Sequence, residues 1–263
     1  MIPRLWIDQR LAKGVSCPLD DAQARYLRQV LRRADGDPVR PFNAVDGEFD
    51  ARLVAVGRHG AELALDRCRR PPLPEPGPWL LFAPLKRQAT DWLVEKATEL
   101  GAERLVPVVT RRTTAERVTV PRLAAIARES AEQCGRLTVP TVAGPVALYR
   151  LAADWPADRL LLVARPPTDG PGLAAGDTAA RYAGGAPFAL LVGPEGGFAP
   201  GELDALREIP LLHAIALGPR VLRAETAAIA GLAILQAVIG DGRAPIDRTA
   251  VDGRLAEPQD DGE

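Results

Sequence analysis

FALLVGPEGGFAPGEL, Phe188 to Leu203, and HAIALGPRVLRAETAAIAGLAILQ, His213 to Gln236, are the two stretches that decide how this chain is read. Each begins as a short apolar run, reaches Gly-Pro, passes through a loop of glycine or charge, and enters a helical pattern. Strand, loop and helix in that order place both loops outside the carboxyl ends of parallel strands, where open α/β sheets bind ligands. The two polar loops are expected to converge at adjacent strand ends, and together they form the candidate site.

Working outward from them, the same rhythm extends back to Trp79. WLLFAPL (79–85), RLVPVV (104–109) and RLLLVA (159–164) read as buried strands. Between them lie two helical stripes. Leu93, Val94, Ala97 and Leu100 form the first, capped by Thr90 or Asp91 and ended by Gly101. Leu123, Ile126, Ala127 and Ala131 form the second, with Pro121 at its first position and Gly135 closing it. Residues 166–185 are loose and rich in glycine and proline, with room for one short helix. Such alternation implies an α/β fold, a mostly parallel sheet with helices on both faces. The last helix, Ala224 to Ile239, is apolar on nearly every side, which predicts burial all round, in a core or a subunit interface.

Upstream the pattern is different. PPLPEPGP, residues 71–78, has five prolines in eight positions and reads as a stiff spacer and domain boundary. Before it come short β-like runs at 4–7, 38–42, 48–56 and 61–65, separated by turn signals such as Asp46-Gly47. One helical stretch, Leu19 to Arg33, sets Leu27, Val30 and Leu31 on one face and Arg25, Arg28, Arg32 and Arg33 on or beside the other. A small β-barrel with one helix fits. The arginine face is either a solvated helix surface or a patch that contacts RNA phosphates.

Composition sets the outer bounds. The 263 residues are 47% hydrophobic and 25% charged, as expected of a globular protein with a sizeable core. No run approaches a membrane span, the N-terminal residues lack the apolar stretch of a signal peptide, and a cytoplasmic location is expected. Cys17, Cys68 and Cys134 are isolated thiols, and with only His59 and His213 beside them no metal site is expected. Net charge is −1, but residues 244–263 hold six acids against two arginines, which leaves the rest of the chain at +3. That mild positive bias suits a nucleic-acid partner.

The site loops carry the chemistry. Gly193-Pro194-Glu195-Gly196-Gly197 lacks the GK[ST] ending of a phosphate loop and the GxGxxG spacing of a dinucleotide site, so a nucleotide hydrolase is disfavoured. Its glycines permit close approach of backbone to a flat ligand. The second loop sets Arg220, Arg223, Glu225 and Thr226 within seven residues at a helix start. They either complement the helix dipole and pair with nearby acids, or act on a ligand. Periodicity does not name that ligand.

LLVGPEGGF followed by LGPRVLRAETAAIAGLAILQ resembles the signature of the SPOUT-type methyltransferases that modify N3 of a uridine in 16S ribosomal RNA. KATELGAERLVPVVTRRT (96–113) and ESAEQCGRLTVP (129–140) resemble that family's middle motifs, and YLRQVLR (26–32) with its β-rich sequel resembles the PUA-like first domain. The resemblance implies a PUA-like β-barrel over residues 1–72, a linker at 73–78, and a SPOUT-type parallel sheet tied into a trefoil knot over 79–242. An acidic disordered tail over 243–263 completes the expected organisation. It implies S-adenosylmethionine as cofactor, 16S rRNA of the small ribosomal subunit as partner, and a homodimer with no membrane and no metal. Cofactor contacts then fall on Gly193, Pro194, Glu195, Gly196, Gly197, Leu217, Gly218, Arg220, Val221, Leu222 and Thr226, with a third contact near Ala164 to Pro167. RNA contacts fall on Arg25, Arg28, Arg32 and Arg33. Catalysis is expected of Arg223, stabilising the uracil anion, and of Glu225, accepting the N3 proton or orienting Arg223. Two alternatives remain: a SPOUT enzyme acting on another rRNA or tRNA site, and a non-catalytic RNA-binding assembly factor.

Overall fold

A computed structural model describes residues 2–56, 60–114, 118–166, 173–182 and 185–243. The described residues divide into two compact units, one formed within residues 2–74 with 132–138, the other within 75–131 and 139–243. Apart from Arg243, the acidic tail expected at 243–263 lies outside the described residues.

The first unit is a five-stranded sheet. Its strands are β1 (Arg4–Trp6), β2 (Ser16–Pro18), β3 (Pro38–Asn43), β4 (Gly47–Val56) and β5 (Gly60–Arg70), in the order β1-β3-β4-β5-β2. Only the β1–β3 pairing is parallel. Alternation in β5 buries Ala61, Leu63 and Leu65 against Leu5, Ile7, Val39 and Leu53. The reading missed β2, because three residues flanking a single buried cysteine carry no periodic signal.

The helix expected at 19–33 is shorter and changes pitch. α1 (Asp21–Arg25) starts at a capping box in which Asp20 and Gln23 bond each other's backbone N–H. It runs into a π-helical turn, Tyr26–Val30, closed by Leu31 N–H to the Tyr26 carbonyl. The wider turn inserts a residue into the helical phase. Leu27 is therefore fully buried while Val30, expected beside it, is 65% exposed.

The second unit is built on β6 (Trp79–Phe82), β7 (Arg104–Val109), β8 (Thr141–Val142), β9 (Val146–Ala147), β10 (Leu160–Ala164), β11 (Leu173–Ala174), β12 (Phe188–Val192) and β13 (Leu212–Ala216). The order is β11-β13-β10-β12-β6-β7-β8, with β9 also pairing β7, and every pairing is parallel. Because both faces are covered, the central strands are apolar at every position. In β12, Phe188, Leu190 and Val192 enter one cluster and Ala189 and Leu191 the other.

Helices α2 (Arg87–Glu99), α3 (Val120–Cys134), α4 (Ala175–Ala180) and α5 (Ala224–Ile239) all contribute to the first of those clusters. The second face is closed by short 3-10 turns at 148–150 and 202–206 with their flanking loops, so the expectation of helices on both faces is corrected. The segments crossing that face are interrupted by Gly144, Pro145 and Pro156 and by Gly201 and Pro210, which leave room for short helical turns. α2 also begins earlier than the Thr90 or Asp91 cap predicts. Arg87, Gln88 and Ala89 join it readily, and Thr90 sits inside it, exchanging hydrogen bonds with the Leu85 backbone.

α5 is the helix that backs the site. Ala228, Leu232 and Leu235 are fully buried, and each leucine contributes roughly 1.5–3 kcal/mol of burial. Gly231 lies so close to β12 that a Cβ would meet Leu190 at 2.7 Å, which explains a glycine in mid-helix. Buried Gln236 donates to the Leu100 carbonyl at 2.8 Å. Burial is not all round, however. Thr226, Ala233 and Ala237 are exposed and Ala230 and Ile234 half-buried, a face of mostly small apolar groups that the described residues leave uncovered.

Candidate active site

The two loops do emerge at one edge of the parallel sheet, but not from adjacent strands. β10 lies between β12 and β13, in register with both. Its exit supplies a third wall, Ala164-Arg165-Pro166, where the Arg165 N–H is pinned to the Ile215 carbonyl at 2.9 Å. Sequence spacing could not show this. A strand's neighbour in a parallel sheet is set by crossovers, and 159–164 precedes both loops in the chain.

The three segments enclose a cleft of about 630 Å³, part of it open to solvent. Val192, Gly193, Pro194, Glu195, Gly197 and Phe198 form one side, Leu217, Arg220, Val221, Leu222, Ala224 and Ala227 the other, and 164–166 the base between. Eight of the eleven residues expected to hold cofactor thus line one space: Gly193, Pro194, Glu195, Gly197, Leu217, Arg220, Val221 and Leu222. Gly196 and Gly218 lie in the same loops and Thr226 in the first turn of α5, all three outside the lining. Gly197 and Gly218 adopt φ of +67° and +102°, a backbone region that only glycine enters without strain.

The first loop is held by residues that its own sequence does not reveal. The Gly197 N–H closes a turn on the Pro194 carbonyl at 2.8 Å. Arg112, from the loop after β7, donates to the Gly196 carbonyl at 2.6 Å. Glu202, 9% exposed, accepts from the Arg111 N–H at 2.6 Å and the Ala199 N–H at 2.9 Å. One carboxylate thereby ties the 110–113 turn to the end of the glycine loop. The signal for it in the sequence is one of two acids in a short stretch, GELDAL, and it is weak. At the loop's start, a Cβ on Gly193 would meet the Phe198 ring at 2.9 Å.

Arg223 and Glu225 stand differently. Arg223 is the N-cap of α5, extended in backbone and exposed, and Glu225 occupies the helix's first turn. Leu222 and Ala224 on either side of Arg223 line the cleft, while Arg223 and Glu225 themselves lie just outside the lining. In the first unit, Arg25 and Arg32 are exposed, Arg33 is half-buried, and Arg28 donates to the Gly60 carbonyl at 3.1 Å. Burial pushes the Cys17 and Cys68 thiols up, away from the reactive thiolate. Among the described residues no cluster of His, Cys, Asp and Glu could hold a metal ion, and no helix is long and apolar enough to cross a membrane.

The RNA methyltransferase domain family matches residues 74–236, more than half the chain and all three walls of the cleft. The chain belongs to this family. Two relatives carry the name ribosomal RNA small subunit methyltransferase E. That of Rickettsia conorii is 30% identical over 233 residues, covering 88% of this chain and 93% of the relative. That of Mycobacterium bovis is 34% identical over 238 residues, covering 86% and 88%. The crystal structure of the protein of that name from Neisseria gonorrhoeae, bound to S-adenosyl methionine, superposes with a TM-score of 0.78 at 26% identity, covering 92% of this chain and 99% of that one.

Proposed function

We propose that this RNA methyltransferase transfers the methyl group of S-adenosylmethionine to N3 of a uridine in the 16S rRNA of the small ribosomal subunit. The observation that carries the reading is the cleft in which three strand exits of one parallel sheet meet, within the region the RNA methyltransferase family matches. Its walls fit the cofactor. Val192, Phe198, Leu217, Val221 and Leu222 offer apolar surface for a flat purine, and Glu195, Arg165 and Arg220 offer charge for the polar groups.

Uracil N3 carries a proton at neutral pH and has no free pair to donate until it leaves. In the cleft the cofactor supplies a methyl on a sulfonium; N3 takes it as the S–CH₃ bond breaks with its electron pair on sulfur. Glu225 accepts the N3 proton or orients Arg223. Arg223 stabilises the negative charge spread over O2 and O4. Arg220 binds the cofactor carboxylate or a phosphate. The walls hold donor and acceptor in line, which converts an encounter in solution into an oriented step.

Around this site we further propose the organisation that the resemblance implies: a PUA-like barrel at 1–72, a linker at 73–78, and a knotted methyltransferase domain at 79–242. Arg25, Arg28, Arg32 and Arg33 contact RNA backbone. A homodimer forms through the uncovered face of α5, where Ala230, Ala233, Ile234 and Ala237 are available, and the protein works in the cytoplasm. Incubation of the purified protein with labelled S-adenosylmethionine and small ribosomal subunits or bare 16S RNA, followed by nucleoside analysis, tests the reading. N3-methyluridine is the expected product, and any other methylated nucleoside refutes the assigned position.

A further inference from the structure

A second hollow adjoins the cleft. Arg112, Arg165, Phe198, Ala199, Leu203 and Asp204 line it, and Arg165 and Phe198 line both spaces. The hollow is open, and two arginines and an aspartate line it together with the Phe198 side chain it shares with the cleft. Its loop is fixed beneath by Glu202, so the hollow is shaped before any ligand arrives.

Resting on the reading above, we propose that this hollow is the acceptor subsite: it receives the target nucleotide, with its base against Phe198 and a backbone phosphate on Arg112. Three features carry this. An acceptor must lie beside the methyl donor, and this hollow shares two side chains with the donor's cleft. A single-stranded base is held by stacking on an aromatic side chain, and half-buried Phe198 is the aromatic residue of the lining. Arg112 spends one N–H on the Gly196 carbonyl, and a guanidinium has five, so it holds the cofactor loop and meets an anion at once. Asp204, the one acid of the lining, would oppose a phosphate. It is paired with Arg207 at 2.7 Å, which offsets its charge.

Arg165 then stands between donor and acceptor, its backbone fixed to Ile215 at the exit of β13. It is a positioning residue for the base, presented from the wall both ligands share.

Two variants test the subsite. R112Q removes the charge and shortens the donor that reaches the Gly196 carbonyl. A199W places an indole in the hollow. For A199W, S-adenosylmethionine affinity by calorimetry is expected to stay within about two-fold of wild type, because Ala199 lies outside the cleft lining. R112Q, which alters the tie to the Gly196 carbonyl, is compared with wild type at saturating S-adenosylmethionine. R112Q should raise the KM for small ribosomal subunits roughly ten-fold with a smaller change in kcat. It should also lower the salt slope of RNA binding by about one ion. A199W should abolish binding of a fluorescein-labelled 16S fragment while cofactor binding persists; should it fail to fold, R112Q decides alone. Wild-type KM, salt slope and fragment affinity in the folded variants overturn the subsite and leave the proposed function standing. Wild-type protein that binds S-adenosylmethionine but methylates no small-subunit RNA overturns the proposed function and this assignment with it.

Discussion

The two loops that face each other across the cleft are built on opposite terms. The glycine loop, 193–202, is tied down by the Gly197–Pro194 turn, by Arg112 on the Gly196 carbonyl, by Glu202 on two N–H groups, and by Phe198 against Gly193. The loop at 217–223 has none of this: among the described residues its side chains make no hydrogen bond to the protein. Gly218, Arg220, Val221 and Arg223 are all exposed. The difference teaches a division of labour. A wall already ordered binds without the cost of ordering it, whereas the exposed loop is ordered by the ligands that reach it.

The comparison is most directly broken at Arg223. If the free loop carries the chemistry, R223A lowers turnover about 10²–10³-fold, the usual loss for one stabilising donor, while cofactor affinity barely changes. Single-turnover methylation beside calorimetry reads both. Next comes Glu202. E202A leaves the Arg111 and Ala199 N–H groups without their buried partner and should lower unfolding stability by about 1.5–3 kcal/mol in urea titration. Cofactor binding should weaken in parallel as the pinned wall loosens; unchanged stability would mean that the tie is not what orders this wall.

G193A sharpens the same point at smaller cost. Its Cβ forces the Phe198 ring to shift, and the cofactor Kd should rise roughly ten-fold, about 1.4 kcal/mol. The least effect is expected across the cleft. Val221 lines it yet is 68% exposed, so V221A should weaken cofactor binding about two- to five-fold and leave the thermal midpoint where it was. A V221A protein that melts much lower would show the second loop to be structural after all.

Much of the second unit was legible because parallel strands covered on both faces must be apolar throughout. FALLV and RLLLVA announce themselves for that reason, and α5 was read from Ala224 to Ile239 as it stands. The pattern in 19–33 misled at Val30, since a π-helical turn depends on one hydrogen bond, Leu31 to Tyr26, that no periodicity encodes. Glu202 and Arg112 were passed over because their partners lie 91 and 84 residues away in the chain.

By itself, then, the sequence determined the local events: which runs become buried strands, where glycine admits a turn, and which two loops bear charge and glycine. Hydrophobic period and backbone sterics act over a few residues and are written there. Only the tertiary structure decided that β10 lies between the two loop-bearing strands, so that its exit at 164–166 falls between the two loops, and that one loop is pinned while the other is not. Strand order and hydrogen bonds between distant residues depend on how the crossovers pack the chain, and no short window of residues contains them.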